Sequence, residues 1–386
     1  MNNQEDVLKG VRSMLSGMNS FDSHNAAYEA SEKPWHLLKE EIRVGLKRHG
    51  TDIAKNALDT MGDGDQSTIK LPEPKKQFYR DLYSSGGDIQ AMFVSAPGGK
   101  PSLTDFGLYC AVGQSDRVMT ALQVNDRPGK ASTNLLELLE TRETSMRLSP
   151  LLMIVSLGKN ISGGNPKGLL TNAKALIQHG CRVDAKDVVG KTVCHYGAGV
   201  MATKTTMQIV EWCVQAYQSN QFLNQEVELH SLKNATMNGK IGISRGFNVD
   251  NGRRVVYLPG EDTPVGIKPE NLKLANSKSP KALPNLCDVQ DRLGGVALLE
   301  VFMSDRTDVA EFLLDTVGAS INVADWDGYS PASMASTPGM QMGSAVGPLI
   351  MKHAMKQARK ATKVALNSCV QCGVTKKTPP MICSKW

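Results

Sequence analysis

Residues 187–198 read DVVGKTVCHYGA and decide the fold of this chain of 386 residues. They contain Gly190, Lys191 and Thr192, which is how a phosphate-binding loop ends. Such a loop also needs a glycine about five residues before its second glycine, because backbone amides must wrap the phosphates. That position holds Ala185. The spacing therefore argues against nucleotide binding, and a structural explanation of the stretch is favoured.

The same stretch follows the pattern Asp-x-x-Gly-x-Thr-x-x-His-x-x-Ala and resembles the opening of an ankyrin repeat. The resemblance implies that Asp187 and Gly190 shape a tight hairpin and that Thr192 caps the first helix. It also implies that His195 bonds to a neighbouring loop. Families that this chain resembles hold partner proteins on their hairpin tips and concave helix face. We therefore expect a scaffold that binds proteins.

Weaker copies of the pattern recur along the chain. The anchors Phe106, Ser149 and Thr192 are spaced by 43 residues each, and Val296 and Ser330 by 34. The ankyrin period is about 33 residues, so the longer units need additional loop residues. The glycine-rich residues 162–166 provide such a loop. The sequence predicts a solenoid of about five repeats.

The interval from Thr192 to Val296 is too long for one repeat and contains a segment of different character. Asn238-Gly239 is a hairpin turn signal, followed by an alternating strand at 240–243. Further strands are predicted at 254–258 and 265–267. The segment resembles the small five-stranded barrels of the Src-homology or KOW kind, which bind peptides or RNA. A structural insert without a ligand is an equally open reading.

These patterns predict a mainly α fold, an ankyrin-repeat solenoid with a small β-barrel-like insert and a short C-terminal zinc-finger segment. The predicted order along the chain is N-terminal helices (1–60), a linker (61–97), ankyrin repeats (98–226), the β-barrel-like insert (227–275), ankyrin repeats (276–350), and a basic helix with a partial zinc finger (351–386).

Composition favours a protein of the cytoplasm or nucleus. The N-terminus lacks a basic, apolar secretory signal, and the longest uncharged apolar run, at 148–158, is too short to span a membrane. The net charge is +6, yet residues 351–386 contain eight Lys or Arg and no Asp or Glu. The excess of basic residues is therefore C-terminal, where it is either a solvated helix face or a weak attraction for nucleic acid.

Three cysteines cluster near the C-terminus: Cys369, Cys372 and Cys383. The spacing Cys-x-x-Cys lets two thiolates bind one zinc ion, and the run with Gly373 resembles the start of a MYND-type zinc finger. The resemblance implies zinc as the cofactor and short peptides as partners. The remaining five cysteines are scattered singly, as expected for buried thiols.

The finger departs from its family, because Trp386 stands where that family has a further cysteine. Three thiolates leave a tetrahedral site one ligand short. The fourth ligand is then His353 or a group from another chain, or else the segment binds no zinc. A redox dithiol of Cys369 and Cys372 is less consistent with the sequence, since no βαβ pattern surrounds them.

The sequence predicts a scaffold that binds proteins through ankyrin repeats and zinc through the C-terminal finger. The alternative is a regulator associated with nucleic acid through the β insert and the basic C-terminal segment. An enzyme is not expected. The chain has no complete phosphate loop and no His-Glu-x-x-His helix, and its seven histidines lack ligand spacing.

Overall fold

The structure is a computed structural model, which describes residues 104–125, 133–143, 146–157, 165–187, 189–199, 202–261, 263–275, 283–292, 294–325, 328–337 and 345–367. The predicted N-terminal helices (1–60) and linker (61–97) lie outside these residues. The terminal cysteines Cys369, Cys372 and Cys383 also lie outside them.

The described part of the chain is mostly helical, as predicted, with eleven α-helices. Their bounds are α1 Asp105–Val112, α2 Ser115–Asn125, α3 Thr133–Glu140, α4 Pro150–Ser156, α5 Pro166–Gln178, α6 Val193–Ala198, α7 Lys204–Tyr217, α8 Ala297–Ser304, α9 Thr307–Glu311, α10 Pro331–Ser336 and α11 Val346–Asn367. Helix α9 continues as one π-helical turn, Phe312–Thr316. Helix α11 crosses the predicted boundary between residues 350 and 351.

Ten of these helices form consecutive pairs: α1 with α2, α4 with α5, α6 with α7, α8 with α9, and α10 with α11. The first helices α1, α4, α6 and α8 pack side by side in chain order, and so do α2, α5 and α7. One apolar core runs through the pairs from Phe106 to Ile350. The buried thiols Cys110, Cys181, Cys194, Cys213 and Cys287 belong to this core, as the sequence predicted.

Polar caps determine where the first helices begin. Thr104 and Ser149 accept hydrogen bonds from the backbone N–H groups of Gly107 and Leu152, at 3.1 and 3.3 Å. Ser330 accepts one from Ser333 N in the same way, at 3.1 Å. Such bonds satisfy amides that have no partner within the helix. The N-cap of the first helix is Thr104, two residues before the predicted anchor Phe106, because the threonine hydroxyl is the capping group.

Between α7 and α8 lies a five-stranded antiparallel sheet. Its strands are β1 Gln225–Leu229, β2 Ile241–Asn248, β3 Arg253–Tyr257, β4 Val265–Ile267 and β5 Leu272–Leu274. The three predicted strands correspond to β2, β3 and β4, whereas β1 and β5 were not predicted as strands.

The order of the strands is β4-β3-β2-β1-β5, so β4 and β5 are the two edges of the described sheet. The sheet is therefore open where a barrel-like insert was expected. A short 3-10 turn at Pro269–Asn271 carries the chain from one edge to the other. Each edge strand has only three residues, which leaves few backbone groups to close a barrel.

The sheet packs on the helical part through close backbone contacts. Strand β2 lies against α5, where a methyl group on Gly246 would overlap the carbonyl oxygen of Gln178. The buried guanidinium of Arg254 donates to the carbonyl oxygens of Ser219, at 2.8 Å, and Gly246, at 3.4 Å. Burial lowers the pKa of Arg254 to about 10, which still leaves it charged at neutral pH. The bond to Ser219 links the sheet to the residues that follow α7.

Among the helices that the structure describes, none combines the length and apolar character of a membrane span.

Candidate functional site

Three hairpin turns precede helices α6, α8 and α10, at residues 187–191, 291–295 and 325–329. In each, the N–H of the aspartate donates to the carbonyl oxygen four residues later, at 3.0, 2.9 and 2.9 Å. The aspartate carboxylate accepts the N–H of that same residue, at 2.8 Å in all three. The fourth residue is a glycine with φ of 85°, 81° and 87°, a region that side chains disfavour. The three turns are thus copies of one structure.

The sequence indicated two of these hairpins and missed one. The hairpin at Asp187 was predicted, and the anchor Ser330 marked the helix that follows the hairpin at Asp325. The hairpin at Asp291 was not recognised, although Val296 was taken as the anchor of the helix that follows it. Its Asp-x-x-Gly spacing to Gly294 was the available signal.

The hairpins stand in a row and are linked by hydrogen bonds. The backbone N–H of Arg292 donates to the carbonyl oxygen of Val189 at 2.9 Å. The ammonium of Lys186 donates to Gln290 O at 2.8 Å, and the Gln290 amide donates to Ala324 O at 2.7 Å. The first two hairpins are neighbours in space although the whole sheet lies between them in sequence. The row is therefore continuous across the insert.

His195 connects the first hairpin unit to the second. Its Nδ1 is 3.1 Å from the backbone N of Thr192, which can only donate, so Nδ1 accepts and the proton is on Nε2. Nε2 then donates to the carbonyl oxygen of Gly295 at 3.0 Å. Burial lowers the pKa of His195, so the ring is neutral at physiological pH. The bond to Gly295 agrees with the expected link to a neighbouring loop.

Asp187 is held inside its hairpin by a further bond. The phenol of Tyr196 donates to its carboxylate at 2.6 Å. Burial raises the pKa of Asp187 and of Tyr196. Asp187 and Tyr196 therefore bond to the turn and helix that carry them, which is a structural arrangement.

Exposed side chains lie around this row. Tyr329 is 45% exposed at the end of the third hairpin, next to the helix cap Ser330. Lys191, at the matching position of the first hairpin, forms an ion pair with Glu300 of α8 at 2.7 Å. Among its described residues, the row therefore presents the exposed ring of Tyr329 at its far end and the Lys191–Glu300 ion pair at its start.

The predicted zinc ligands Cys369, Cys372 and Cys383 lie outside the described residues, so their geometry is not part of this site. Within the described ranges, no group of three His, Cys, Asp or Glu side chains could hold a metal ion. His353 lies in α11, with Nδ1 at 3.7 Å from Asp315 and Nε2 at 2.9 Å from the Gln357 amide.

No protein-family model matches the chain, and no curated protein matches it either.

Proposed function

We propose that this protein is an ankyrin-type scaffold whose helix pairs form a solenoid and whose hairpin row binds other proteins. The observation that supports it most directly is the threefold recurrence of one hairpin, with the same two hydrogen bonds and the same glycine conformation. Each copy precedes the first helix of a pair. Repeats of this kind contact only their neighbours and present long binding surfaces.

The division between buried and exposed groups supports binding over catalysis. Asp187, His195 and Tyr196 are the polar groups closest to an active-site set, and each is fixed by structural hydrogen bonds. Tyr329, in contrast, is exposed at the hairpin row. Tyrosine is a frequent anchor of protein interfaces because it supplies a large apolar ring and a hydroxyl group. We place the partner contact at the hairpin row, with Tyr329 as its anchor.

The C-terminal cysteines extend this proposal. Cys369, Cys372 and Cys383 bind one zinc ion as a MYND-like finger that adds a peptide-binding element to the scaffold. Elemental analysis of the full chain under reducing conditions tests this. One zinc per chain that is lost in Cys369→Ser supports the finger, and a chain without zinc contradicts it.

A nucleic-acid function is the second candidate, because α11 exposes Lys352, Lys356 and Arg359. Lys356 itself lies 3.4 Å from Asp315, and two lysines of the inserted sheet segment also form ion pairs. Lys240 pairs with Glu261 and Lys273 with Glu228, at 3.1 and 2.8 Å. Nucleic-acid binding would therefore centre on α11, and its affinity would fall steeply with salt concentration.

The scaffold is tested with three full-length chains: wild type, Tyr329→Ala and the control Val124→Ala. Val124 is 64% exposed on α2, away from the hairpins, so its truncation controls for the loss of an exposed apolar group. Each immobilised chain is incubated with lysate, with and without nuclease treatment, and the retained proteins are quantified. A partner retained by wild type and Val124→Ala is then purified, and its affinity for all three chains is measured.

The proposal expects at least a tenfold weaker affinity for Tyr329→Ala, which is about 1.4 kcal/mol, and no change for Val124→Ala. Binding that disappears after nuclease treatment would favour the nucleic-acid candidate. A partner bound equally by all three chains would move the interface away from the hairpin row.

A further inference from the structure

Two buried cysteines from distant parts of the chain meet in the core. The sulfur atoms of Cys194 and Cys287 are 3.1 Å apart, and both side chains are fully buried. Cys194 lies in α6, and Cys287 lies in the short 3-10 turn Leu286–Asp288. A disulfide bond brings its sulfurs to about 2.05 Å, so closure requires a movement of only about 1 Å.

The pair occupies a particular place in the fold. Cys194 precedes α7 and the sheet in the chain, and Cys287 follows them, with a separation of 93 residues. A bond between them would close a loop that contains α7 and the entire sheet. The bond would join α6, which precedes the sheet in the chain, to the 3-10 turn that follows the sheet.

From this geometry we infer that Cys194 and Cys287 form a reversible disulfide when the chain meets a peroxide. The bond is a redox latch that fixes the inserted sheet between the first and second hairpin units. The structure brings the sulfur atoms of Cys194 and Cys287 into direct contact. The other buried thiols therefore serve as controls.

The chemistry balances with hydrogen peroxide as the oxidant. The Cys287 sulfur attacks one peroxide oxygen, an S–O bond forms, the O–O bond breaks, and the first water leaves with the thiol proton. The Cys194 sulfur then attacks the Cys287 sulfur. The S–S bond forms, the S–O bond breaks, and the hydroxide leaves as a second water with the Cys194 proton. Two thiols lose two electrons and two protons in total, and the peroxide is reduced to two waters.

Cys287 is the first thiol to react with the peroxide, because it is only four residues from Leu283, which is 39% exposed. The hydrogen bond to Cys194 and burial both raise the pKa of Cys287, which keeps it protonated in the closed structure. The thiolate is the reactive form, so the reaction follows opening of the turn. The latch therefore forms more slowly than disulfides between exposed thiols.

The test uses the folded full-length chain exposed to hydrogen peroxide, followed by removal of peroxide and alkylation of free thiols. Digestion without reductant and mass spectrometry then identify the disulfides. We expect a peptide joining Cys194 to Cys287, which dithiothreitol removes. We also expect Tm to rise by about 5 °C or more, since closing a long loop restricts the unfolded chain.

The matched variants are Cys194→Ser and Cys287→Ser against Cys110→Ser and Cys213→Ser. The first two must lose the rise in Tm, and the last two, buried in the same core, must keep it. The peptide map of the wild-type chain needs no variant, so a serine variant that fails to fold leaves the test intact. The inference is wrong if Cys194 and Cys287 remain free thiols while the chain stays folded, or if Cys287 pairs with a different cysteine.

Discussion

The first helix pair and the pair that begins with α6 both hold a helix start in place with a buried polar side chain. The first uses the carboxylate of Glu143, and the second uses the imidazole of His195. Helix α6 starts at Thr192, and its third residue, His195, bonds back to Thr192 and across to Gly295. Helix α1 starts at Thr104, and its third residue is Gly107. A buried carboxylate from a different segment, Glu143, occupies the space beside it and accepts the Thr104 N–H and hydroxyl at 2.7 and 2.5 Å.

The two arrangements differ in the sequence separation between the side chain and the helix start, as well as in the charge of the side chain. His195 acts on a helix start three residues away, whereas Glu143 acts on one 39 residues away. Glu143 is itself placed by paired backbone bonds with Leu148, just before α4. In both regions a buried polar side chain ties one helix start to the next unit. A helix start without such a histidine is therefore held by an acceptor that a neighbouring segment supplies.

Removal of the carboxylate should have the largest effect. Glu143→Ala leaves the Thr104 N–H and hydroxyl without their acceptor and opens a cavity in a fully buried site. We expect a loss of about 3–5 kcal/mol in the free energy of unfolding, measured by urea denaturation. Glu137→Ala, at an exposed glutamate of α3, is the control and should change stability by less than about 0.5 kcal/mol. Equal effects of the two variants would show that Glu143 is not a link.

Removal of the imidazole should cost somewhat less. His195→Ala loses the bonds to Thr192 and Gly295, and we expect a destabilisation of about 2–4 kcal/mol in the same measurement. The control His230→Ala removes a partly exposed ring that bonds to the adjacent Ser231. If both histidine variants unfold at the same urea concentration as wild type, the link between the hairpin units carries no stability.

Gly107→Ala tests directly whether the Glu143 carboxylate occupies the space that a side chain at position 107 would fill. A methyl group at Gly107 would lie 2.5 Å from the Glu143 carboxyl carbon, so Gly107→Ala should destabilise the wild-type chain by about 1–3 kcal/mol. In the Glu143→Ala background the clash is gone, and alanine is the better helix former. There the same change should stabilise by about 0.5–1 kcal/mol. An unchanged sign in the urea data would contradict this role of Glu143.

The smallest effect is a difference in pH dependence. Burial raises the pKa of Glu143, so its folded form binds protons more readily and gains stability as pH falls from neutral towards the unfolded value of 4.5. Burial lowers the pKa of His195, so stability is lost as pH falls below the unfolded value of 6.5. The two links should therefore respond to acid with opposite signs.

Neutral variants separate the two contributions. Free energies of unfolding of wild type, Glu143→Gln and His195→Gln are compared at neutral pH and at about pH 5. On acidification, wild type should gain relative to Glu143→Gln and lose relative to His195→Gln. Differences of the same sign would contradict the assignment of one link as acidic and the other as basic.

Sequence patterns identified the features whose bonds are local. Asn238-Gly239 predicted a turn that the structure contains, with Gly239 at a φ of 83°. Strands β1 and β5 escaped recognition, since β5 has only three residues and its register is set by pairing with β1. Glu143 carried no motif at all, because its partner Thr104 is distant in the chain. The hairpin at Asp291 is an intermediate case. Its Asp-x-x-Gly turn signal is present in the sequence, but Val296 stands where the first helices of the other pairs have a threonine or serine.

The amino-acid sequence by itself determined the turns, the caps and the alternation of helix and strand, because each depends on hydrogen bonds that close within about five residues. The tertiary structure alone decided which helix starts are tied together, how the five strands are ordered, and that Cys194 meets Cys287. Those contacts join residues far apart in the chain. Their pairing depends on the packing of the whole core against the entropy of closing long loops, which no local pattern records.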